Sequence, residues 1–340
     1  MKSLILPPLS TLYGAITGTR ALLYERGTFR AAKLPKPVIS VGNITVGGTG
    51  KTPLVEWVAR TLAGSGKKVC ILTRGYGRDN PKNHVLVSDG KQVFSTPEEA
   101  GDEPYVLAKN LEGLVAVISD ANRFSAGEGA LQHLGADCFV LDDGFQHMQL
   151  ARDLNIVTLD ATNPWGGGRM LPIGTLREPL TGLKRADCIV LTRCNQAEDV
   201  DKVQAEAARL SGDRPIFRSR MVTNGIVPLK TSSSISEIEN PVGAFCGVGN
   251  PSSFITHLKA SGYELVAQKF FADHYRYTQA DVDELIRMTL QTGAKCLITT
   301  AKDAVKLQHL DLQVPVFSLQ IQIEIEAEDE LRRLLIGAAS

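Results

Sequence analysis

Residues 42–53 read Gly-Asn-Ile-Thr-Val-Gly-Gly-Thr-Gly-Lys-Thr-Pro. The end of this stretch, Gly50-Lys51-Thr52, matches the end of the phosphate-binding pattern G-x-x-x-x-G-K-[ST], but Thr45 stands where that pattern begins with glycine. An apolar strand-like run, Pro37–Val41, precedes the loop, and a helix predicted over Lys51–Leu62 follows it. Since phosphate-binding loops join a strand to a helix, the stretch predicts a nucleotide-binding loop at the end of the first core strand.

The residues of this loop have expected roles in holding a nucleoside triphosphate. Glycines allow backbone N–H groups to point inward as a nest for anions, and the N-terminus of the following helix adds positive potential. We expect Lys51 to bridge the β and γ phosphates and the Thr52 hydroxyl to bind Mg²⁺. The residues expected to contact the nucleotide are Thr45, Val46, Gly47, Gly48, Thr49, Gly50, Lys51 and Thr52.

A second group of polar residues follows another apolar run. The apolar run Cys138–Leu141 is followed directly by Asp142 and Asp143, and then by Gln146 and His147. Either carboxylate could anchor Mg²⁺, directly or through water, and the sequence leaves the choice between them open. Because ligands of open α/β sheets bind at the carboxyl ends of the strands, these residues are expected beside the phosphate loop.

Apolar strand-like runs alternate with helical stretches along the whole chain. This pattern indicates an α/β fold, a P-loop NTPase-like parallel sheet with helices on both faces, followed by a second, smaller α/β domain. The predicted strands after the loop are Val69–Thr73, Val115–Ile118, Cys138–Leu141, Ile156–Leu159, Cys188–Leu191, Val242–Cys246, Leu265–Phe271, Cys296–Thr300 and Val314–Leu319. Further predicted helices are Pro97–Leu111, Arg123–Leu134, Ala280–Thr292 and one that begins at Ser252, which caps it.

We divide the chain into three parts. Residues 1–36 form an N-terminal helix, residues 37–225 the nucleotide-binding core, and residues 226–340 a C-terminal α/β domain that closes over the cleft. The polar run Thr231–Ser234 is typical of a linker near the second boundary.

The N-terminal segment is basic although the protein is neutral. Residues 1–36 carry Lys2, Arg20, Arg26, Arg30, Lys33 and Lys36 against Glu25, whereas the whole chain has 37 basic and 37 acidic side chains. A helix over residues 9–30 could pack on the protein's own core or lie on an anionic membrane surface. Residues 3–19 are too short and too polar to span a bilayer and lack the cleavage site of a signal peptide.

Charge and cysteine content exclude several other classes. A neutral chain lacks the basic excess of bulk nucleic-acid binders, so no nucleic-acid partner is expected. The six cysteines form no CxxC pair and mostly lie in apolar runs, which favours buried free thiols over disulfides or a zinc site.

Other segments carry candidate chemistry. Asp102, within Gly101–Pro104, could accept the proton of a hydroxyl acceptor. Arg74 and Tyr76 follow a core strand and suit a phosphate-bearing substrate. His274 could act as an acid, a base or an orienting group.

Two loops complete the candidates. The glycine-rich stretch that begins at Gly166 and contains Arg177 could form a lid or an acceptor loop. Thr299–Asp303 ends a later strand and could face the same cleft.

Taken in order, these segments resemble the tetraacyldisaccharide 4′-kinases, the lipid A 4′-kinases of Gram-negative bacteria. The resemblance covers most of the chain, and Thr45 agrees with the loop usual in that family. It rests on Ser40–Asn43 with Gly47–Pro53, Arg74–Gly77, Gly101–Pro104, Asp142–His147, Leu171-Pro172 with Leu176–Pro179, and Asp273–Tyr275.

The resemblance implies a specific reaction. ATP and Mg²⁺ would serve as cosubstrate and metal, and the γ-phosphoryl would pass to the 4′-hydroxyl of a tetraacylated glucosamine disaccharide 1-phosphate. Asp102 and His274 would act as a pair in which Asp102 accepts the hydroxyl proton and His274 tunes it, with Lys51 as the third catalytic residue. The residues expected at the lipid substrate are Arg74, Tyr76, Glu103, Gln146, His147 and Arg177.

The resemblance also implies a place in the cell. The N-terminal helix would hold the enzyme at the cytoplasmic face of the inner membrane as a peripheral protein, and we expect a monomer.

Three other functions remain as alternatives. A nucleotide-dependent switch or chaperone ATPase would share the loop, although the chain lacks the Asn-Lys-x-Asp run of GTPases. A membrane adaptor with an inactive loop would not need Lys51, Thr52 and the two acids. A kinase for a soluble small molecule would not need the N-terminal helix.

Overall fold

The strands predicted within residues 37–225 (the first series) and within residues 226–340 (the second series) belong to one sheet. The computed structural model describes residues 2–229 and 238–340, and its sheet has twelve strands within these ranges. The strands are β1 (Val38–Asn43), β2 (Val69–Thr73), β3 (Val85–Asp89), β4 (Ala116–Ser119), β5 (Cys138–Asp142), β6 (Leu154–Asp160), β7 (Cys188–Thr192), β8 (Ile216–Pro228), β9 (Val242–Cys246), β10 (Leu265–Phe270), β11 (Cys296–Thr300) and β12 (Val316–Ile325).

Helices cover this sheet and connect most of its parallel strands. They are α1 (Lys2–Glu25), α2 (Lys51–Gly64), α3 (Pro97–Ala100), α4 (Asp102–Asn110), α5 (Arg123–His133), α6 (Val200–Ser211), α7 (Pro251–Ala260), α8 (Gln279–Thr292), α9 (Ala301–Ala304) and α10 (Glu328–Ala338). The strand order is β10-β9-β11-β12-β8-β7-β6-β1-β5-β2-β4-β3, and among these pairs only β3–β4 and β8–β12 are antiparallel. The phosphate-loop strand β1 therefore lies in the middle of the first series, between β5 and β6.

The long strand β8 joins the two series. Its first residues pair in parallel with β7 at Ile216–Arg218, and the rest pairs antiparallel with β12 from Ser219 to Pro228. The domain boundary predicted near residue 225 falls inside this strand, and the linker predicted at Thr231–Ser234 lies outside the described residues.

The last helix, α10, returns to the first series. Its Leu331 and Leu335 belong to the same apolar cluster as Leu54 and Val58 of the phosphate-loop helix α2. Burial of such side chains contributes about 1.5–3 kcal/mol each. The chain end is thus part of the packing that fixes α2.

Two local signals and one strand pairing explain where three predicted elements differ from the observed ones. The helix predicted over Pro97–Leu111 is two helices, because Gly101 adopts a φ of 94° between α3 and α4. The prediction that Ser252 caps α7 was wrong, since the Asn250 side chain accepts the Ser253 N–H at 3.1 Å. The strand predicted over Val314–Leu319 begins at Val316 and continues to Ile325, where it pairs with β8.

A half-buried carboxyl group links α2 to α4. The Asn110 side chain donates to Glu56 Oε1 at 2.8 Å. Removal from water raises the pKa of Glu56 to about 7, although Asn110 and Arg60 favour its charged form. The folded protein therefore binds the Glu56 proton more tightly than the unfolded chain does, and stability contributed by this group is lost as pH rises from about 4.3 through 7.

Glu56→Gln should accordingly stabilise the protein at neutral and alkaline pH. Glutamine keeps an acceptor for Asn110 but has no charge to bury. We expect the melting temperature of the variant to exceed that of the wild type by about 2 °C or more above pH 7, and the gain to shrink as pH falls toward about 4.3. Glu112→Gln, at a more exposed glutamate paired with Lys109, is the control. An equal gain in melting temperature above pH 7 and near pH 4.3 would contradict the argument.

Candidate active site

Strands from both series end at one cavity of about 870 Å³. One side is lined by the phosphate loop and by residues that follow β2 and β5, such as Arg74 and Asp143. The other side is lined by residues that follow β9, β10 and β11, among them Gly249, His274 and Lys302. The single sheet thus brings candidate residues from distant parts of the sequence to one place.

Gly47 and Gly50 of the phosphate loop have positive φ angles, which favour glycine. Gly50 precedes α2 with a φ of 75°, and a β-carbon there would lie 2.4 Å from the Met221 side chain. Lys51 is the first residue of α2, so it stands at the positive end of the helix dipole. Thr45 is absent from the residues with positive φ and pairs with Leu176 in an isolated bridge. A side chain at this first pattern position therefore causes no backbone strain.

Thr49 fixes the loop to the sheet beneath it. Its hydroxyl accepts from Asn43 Nδ2 and is hydrogen-bonded to the Thr158 hydroxyl, each at 3.0 Å, while the Thr192 hydroxyl donates to its carbonyl at 2.7 Å. These buried bonds connect the loop to β1, β6 and β7. The Thr49 side chain is thus committed to holding the loop in shape.

The two acids after β5 lie beside Lys51 and differ in their partners. Lys51 Nζ is 2.8 Å from Asp143 Oδ1 and 3.7 Å from Asp142 Oδ1. Both Asp143 oxygens also accept from Arg177 Nη1, at 2.7 and 2.8 Å. Asp142 Oδ2 accepts from the Thr73 hydroxyl at 3.0 Å, but its buried Oδ1 accepts no hydrogen bond from the described residues.

The pKa values of the two acids are shifted in opposite directions. Burial raises the pKa of Asp142, and its more distant contact with Lys51 does not compensate. Burial acts on Asp143 in the same direction, but the charges of Lys51 and Arg177 outweigh it and hold the pKa of Asp143 well below its usual range. Lys51 also loses hydration, yet the two carboxylates raise its pKa and keep it charged.

Asp102 and His274 meet beside the cavity, which His274 and Glu103 line. His274 Nδ1 lies 3.0 and 2.9 Å from the two carboxylate oxygens of Asp102, although the residues are 172 positions apart. Asp102 begins α4 and is buried, whereas His274 is in the loop after β10. The hydrogen bond with Asp102 raises the pKa of His274, in spite of the partial burial of its ring.

Backbone strain is concentrated near these groups. Among the described residues, five other than glycine have a positive φ, and three of them, Asp143, Arg193 and His274, line the cavity. Such conformations cost about 1–3 kcal/mol each and persist where the surrounding structure requires them. The positions of the Asp143 carboxylate and the His274 ring therefore depend on the fold.

The residues predicted at the lipid substrate line the same cavity, but several already have protein partners. Gln146 donates to the Asn43 carbonyl and to Glu178, and Arg177 binds Asp143. Glu103 is paired with Lys302.

Arg74, Tyr76 and His147 leave more room for a ligand. Arg74 and Tyr76 are exposed and contact each other. Burial, reinforced by nearby arginines, lowers the pKa of His147 to about 4, so this ring is neutral at physiological pH.

Sequence reasoning missed two buried cations in the cavity, Arg123 and Arg193. Arg123 is 5% exposed, its Nε has no hydrogen-bond partner within the part of the chain that the structure describes, and its Nη1 reaches the Ala121 carbonyl at 3.3 Å. Its position just after β4 was the available signal, because polar residues after the ends of parallel strands line ligand sites.

Comparisons with known proteins find one family that matches nearly the whole chain. The model of the family described as LpxK, tetraacyldisaccharide-1-P 4′-kinase, matches residues 2–339. The chain belongs to this kinase family. It is 44% identical to the tetraacyldisaccharide 4′-kinase of Geobacter metallireducens, over 89% of this chain and 88% of that protein. It is 37% identical to the tetraacyldisaccharide 4′-kinase of Desulfotalea psychrophila, over 95% of this chain and 94% of that protein.

A solved structure of the family has the same fold. A crystal structure of LpxK from Aquifex aeolicus, described as an "apo" form in complex with ATP, matches with a TM-score of 0.78 and 36% identity and covers 100% of both chains. These findings confirm the α/β fold class and the lipid kinase activity predicted from the sequence. The chain is a tetraacyldisaccharide 4′-kinase of lipid A biosynthesis, a phosphotransferase with an alcohol acceptor.

The kinase has no membrane-crossing helix in the described ranges. Within residues 2–229 and 238–340, no helix is both long and apolar enough to cross a bilayer.

Replacing Lys51 with methionine tests the phosphate loop. Methionine keeps the length of the side chain but removes the charge that faces Asp142 and Asp143, so we expect phosphoryl transfer to fall by about 100-fold or more. The measurement is transfer of label from γ-labelled ATP to the acceptor, with thermal unfolding as a check on folding. Lys91→Met, at an exposed residue, is the control. Turnover within about threefold of wild type would remove Lys51 from the mechanism.

Proposed function

We propose that this kinase binds ATP with Mg²⁺ at Gly47–Thr52 and transfers the γ-phosphoryl to the 4′-hydroxyl of a tetraacyldisaccharide 1-phosphate, with Asp102 as the proton acceptor. The observation that carries this assignment is the 2.9 Å contact between buried Asp102 and His274, a residue that lines the same cavity as Lys51. The Aquifex aeolicus relative described in complex with ATP supports ATP as the donor.

The donor end of the cavity suits a triphosphate. The glycines at 47, 48 and 50 and the N-terminus of α2 offer backbone N–H groups, and Lys51 adds a positive charge. Arg193 lies near the loop, with Nη2 3.9 Å from where a β-carbon on Gly48 would be, and it is paired with Asp160. Positive charge on this side favours the developing charge of phosphoryl transfer.

The acids beside the loop fit a single Mg²⁺. Asp142 Oδ1 is buried and has no hydrogen-bond donor in the described ranges, whereas both oxygens of Asp143 are engaged by Arg177. Asp142 and the Thr52 hydroxyl are therefore our candidates for holding the metal. Mg²⁺ keeps several waters when bound to proteins, so one or two protein ligands are enough. When bound, Mg²⁺ would neutralise charge on the phosphates.

The acceptor end contains the proton acceptor and a basic surface. The Asp102 carboxylate takes the proton from the attacking hydroxyl, and His274 orients that carboxylate through Nδ1. Arg74, Arg123 and Arg20 line the cavity as cations suited to the phosphate that the acceptor already carries.

Substitution of the Asp102–His274 pair tests the proton transfer. Asp102→Asn and His274→Ala should lower kcat by about 10²–10⁴-fold while the KM for ATP changes little, since neither residue belongs to the phosphate loop. Asp120→Asn is a matched control, because Asp120 forms a 2.9 Å pair with the exposed His84. The proton role would be wrong if either variant mainly weakened ATP binding.

The N-terminal helix turns its small residues inward and its large apolar residues outward. The Ser10 hydroxyl donates to the Met170 carbonyl at 2.8 Å, and Gly14 packs near the Met170 side chain. Leu9, Leu12 and Ile16, which lie on one helical face, are 45%, 56% and 58% exposed. A helix packed only on the protein's own core would bury those three side chains.

We therefore assign this face of α1 to the membrane surface. Exposed basic residues, Arg26, Arg30, Lys33 and Lys36, follow α1 and suit anionic lipid headgroups. Arg20 of the same helix donates to the Gln146 carbonyl at 3.3 Å, so the helix is joined to the acceptor side of the cavity. The enzyme would act as a peripheral monomer at the cytoplasmic face, where ATP is available and the lipid acceptor can enter beside α1.

Serine at Leu9, Leu12 and Ile16 together should weaken membrane binding. We expect partition onto vesicles that contain anionic lipid to be at least about tenfold lower. Burying each of these apolar side chains in the membrane surface would contribute up to about 1.5–3 kcal/mol of binding free energy. The measurement is vesicle co-sedimentation, together with unfolding curves. Serine at Phe94, Leu114 and Leu290, which are similarly exposed elsewhere, is the matched control. Equal co-sedimentation of the two triple variants would contradict the assignment.

A further inference from the structure

We propose that Lys306 is a positioning residue for the reaction, a buried cation that holds the Asp102 carboxylate in place for the acceptor hydroxyl. Lys306 contacts Asp102 and acts through it. The inference rests on the proposed role of Asp102 as proton acceptor.

The position of Lys306 suits this role. Its side chain is 10% exposed, and Nζ lies 3.7 Å from Asp102 Oδ2 and 2.9 Å from Asp303 Oδ1. The ammonium makes no hydrogen bond of acceptable geometry to the described residues and also lies 5.4 Å from the centre of the Tyr277 ring. A buried ammonium is costly unless anions surround it, and here two carboxylates do.

Asp303 also contacts the Lys306 ammonium. It is fully buried, and its Oδ2 accepts from the Gly247 N–H at 3.0 Å and from the Thr300 hydroxyl at 2.7 Å. These bonds tie the carboxylate to the ends of β9 and β11. Because these bonds fix Oδ2, the ammonium that lies beside Oδ1 has a defined place next to Asp102.

The lysine one turn earlier has a parallel contact. Lys302 binds Glu103, the residue after Asp102, so two lysines four positions apart contact two consecutive acids at the start of α4. This spacing matches one turn of helix. The contact shows that the whole segment after β11 is aligned with the start of α4.

The charges around Asp102 decide what Lys306 contributes. Asp102 is contacted by His274 from the loop after β10 and by Lys306 from the segment after β11, and it interacts with the charge of Lys302. Asp273 and Glu103 act on the His274 ring that Asp102 binds. Without Lys306, the carboxylates of Asp102 and Asp303 would share a buried site with less positive charge. Protonation of Asp102 would relieve that repulsion and remove the proton acceptor.

The test is the pH dependence of kcat in Lys306→Met. Methionine fills similar volume without charge, so the acid limb of the profile should move to higher pH by about one unit. At the acid end kcat should fall about tenfold, and at the alkaline end it should recover to within about threefold of wild type, with the KM for ATP little changed. Lys306→Arg, which keeps the charge, should leave the limb near its original position. Lys109→Met, at an exposed lysine on α4, is the control.

The outcomes separate this inference from the role of Asp102. A Lys306→Met profile that is lowered equally at every pH, or one shared by Lys306→Arg, overturns the inference, because a purely structural role would scale the whole curve. If Asp102→Asn abolishes turnover while Lys306→Met leaves the limb in place, only the inference fails. If Asp102→Asn is fully active, the proposed function of Asp102 fails first. Thermal unfolding of each variant distinguishes misfolding from a shifted profile.

Discussion

The Lys51 ammonium lies 2.8 Å from Asp143 and 3.7 Å from Asp142, with all three side chains at most 11% exposed. Charges removed from water cost several kcal/mol each unless they are paired, so this group is stable only if its members arrive together. Adjacent parallel strands meet that requirement, because β1 and β5 end at the same edge of the sheet. The phosphate loop, the acids and the nearby Arg177 therefore depend on one another for their placement.

The same sheet explains how the second series contributes to the site. β8 pairs with β7 at one end and with β12 along the rest of its length, and α10 returns to pack on α2. Through this continuity the loop after β10 carries His274 to Asp102, and the segment after β11 carries Lys302 to Glu103. A site made of both series can exclude water from the transferred phosphoryl group, which favours transfer to the acceptor over hydrolysis.

Prediction from the sequence succeeded where a local pattern has a local cause. The strands Val69–Thr73, Val242–Cys246 and Cys296–Thr300 have the predicted bounds, because continuous apolar runs mark strands buried on both faces. It failed where one residue competed with the pattern, as when Gly101 divided a predicted helix. It also missed Arg123, since an arginine at the start of a helix gives no local sign of being buried.

The sequence by itself determined the phosphate loop, the acids after β5, the α/β class and the family, because each depends on residues close together in the chain or on their order along it. Only the tertiary structure decided that Asp142 Oδ1 accepts no hydrogen bond from the described residues while both oxygens of Asp143 do, and that Lys306 lies beside Asp102. Burial, charge pairing and hydrogen bonds between distant segments depend on how strands are ordered in space. That order is set by the packing of the whole chain, which no short stretch of sequence records.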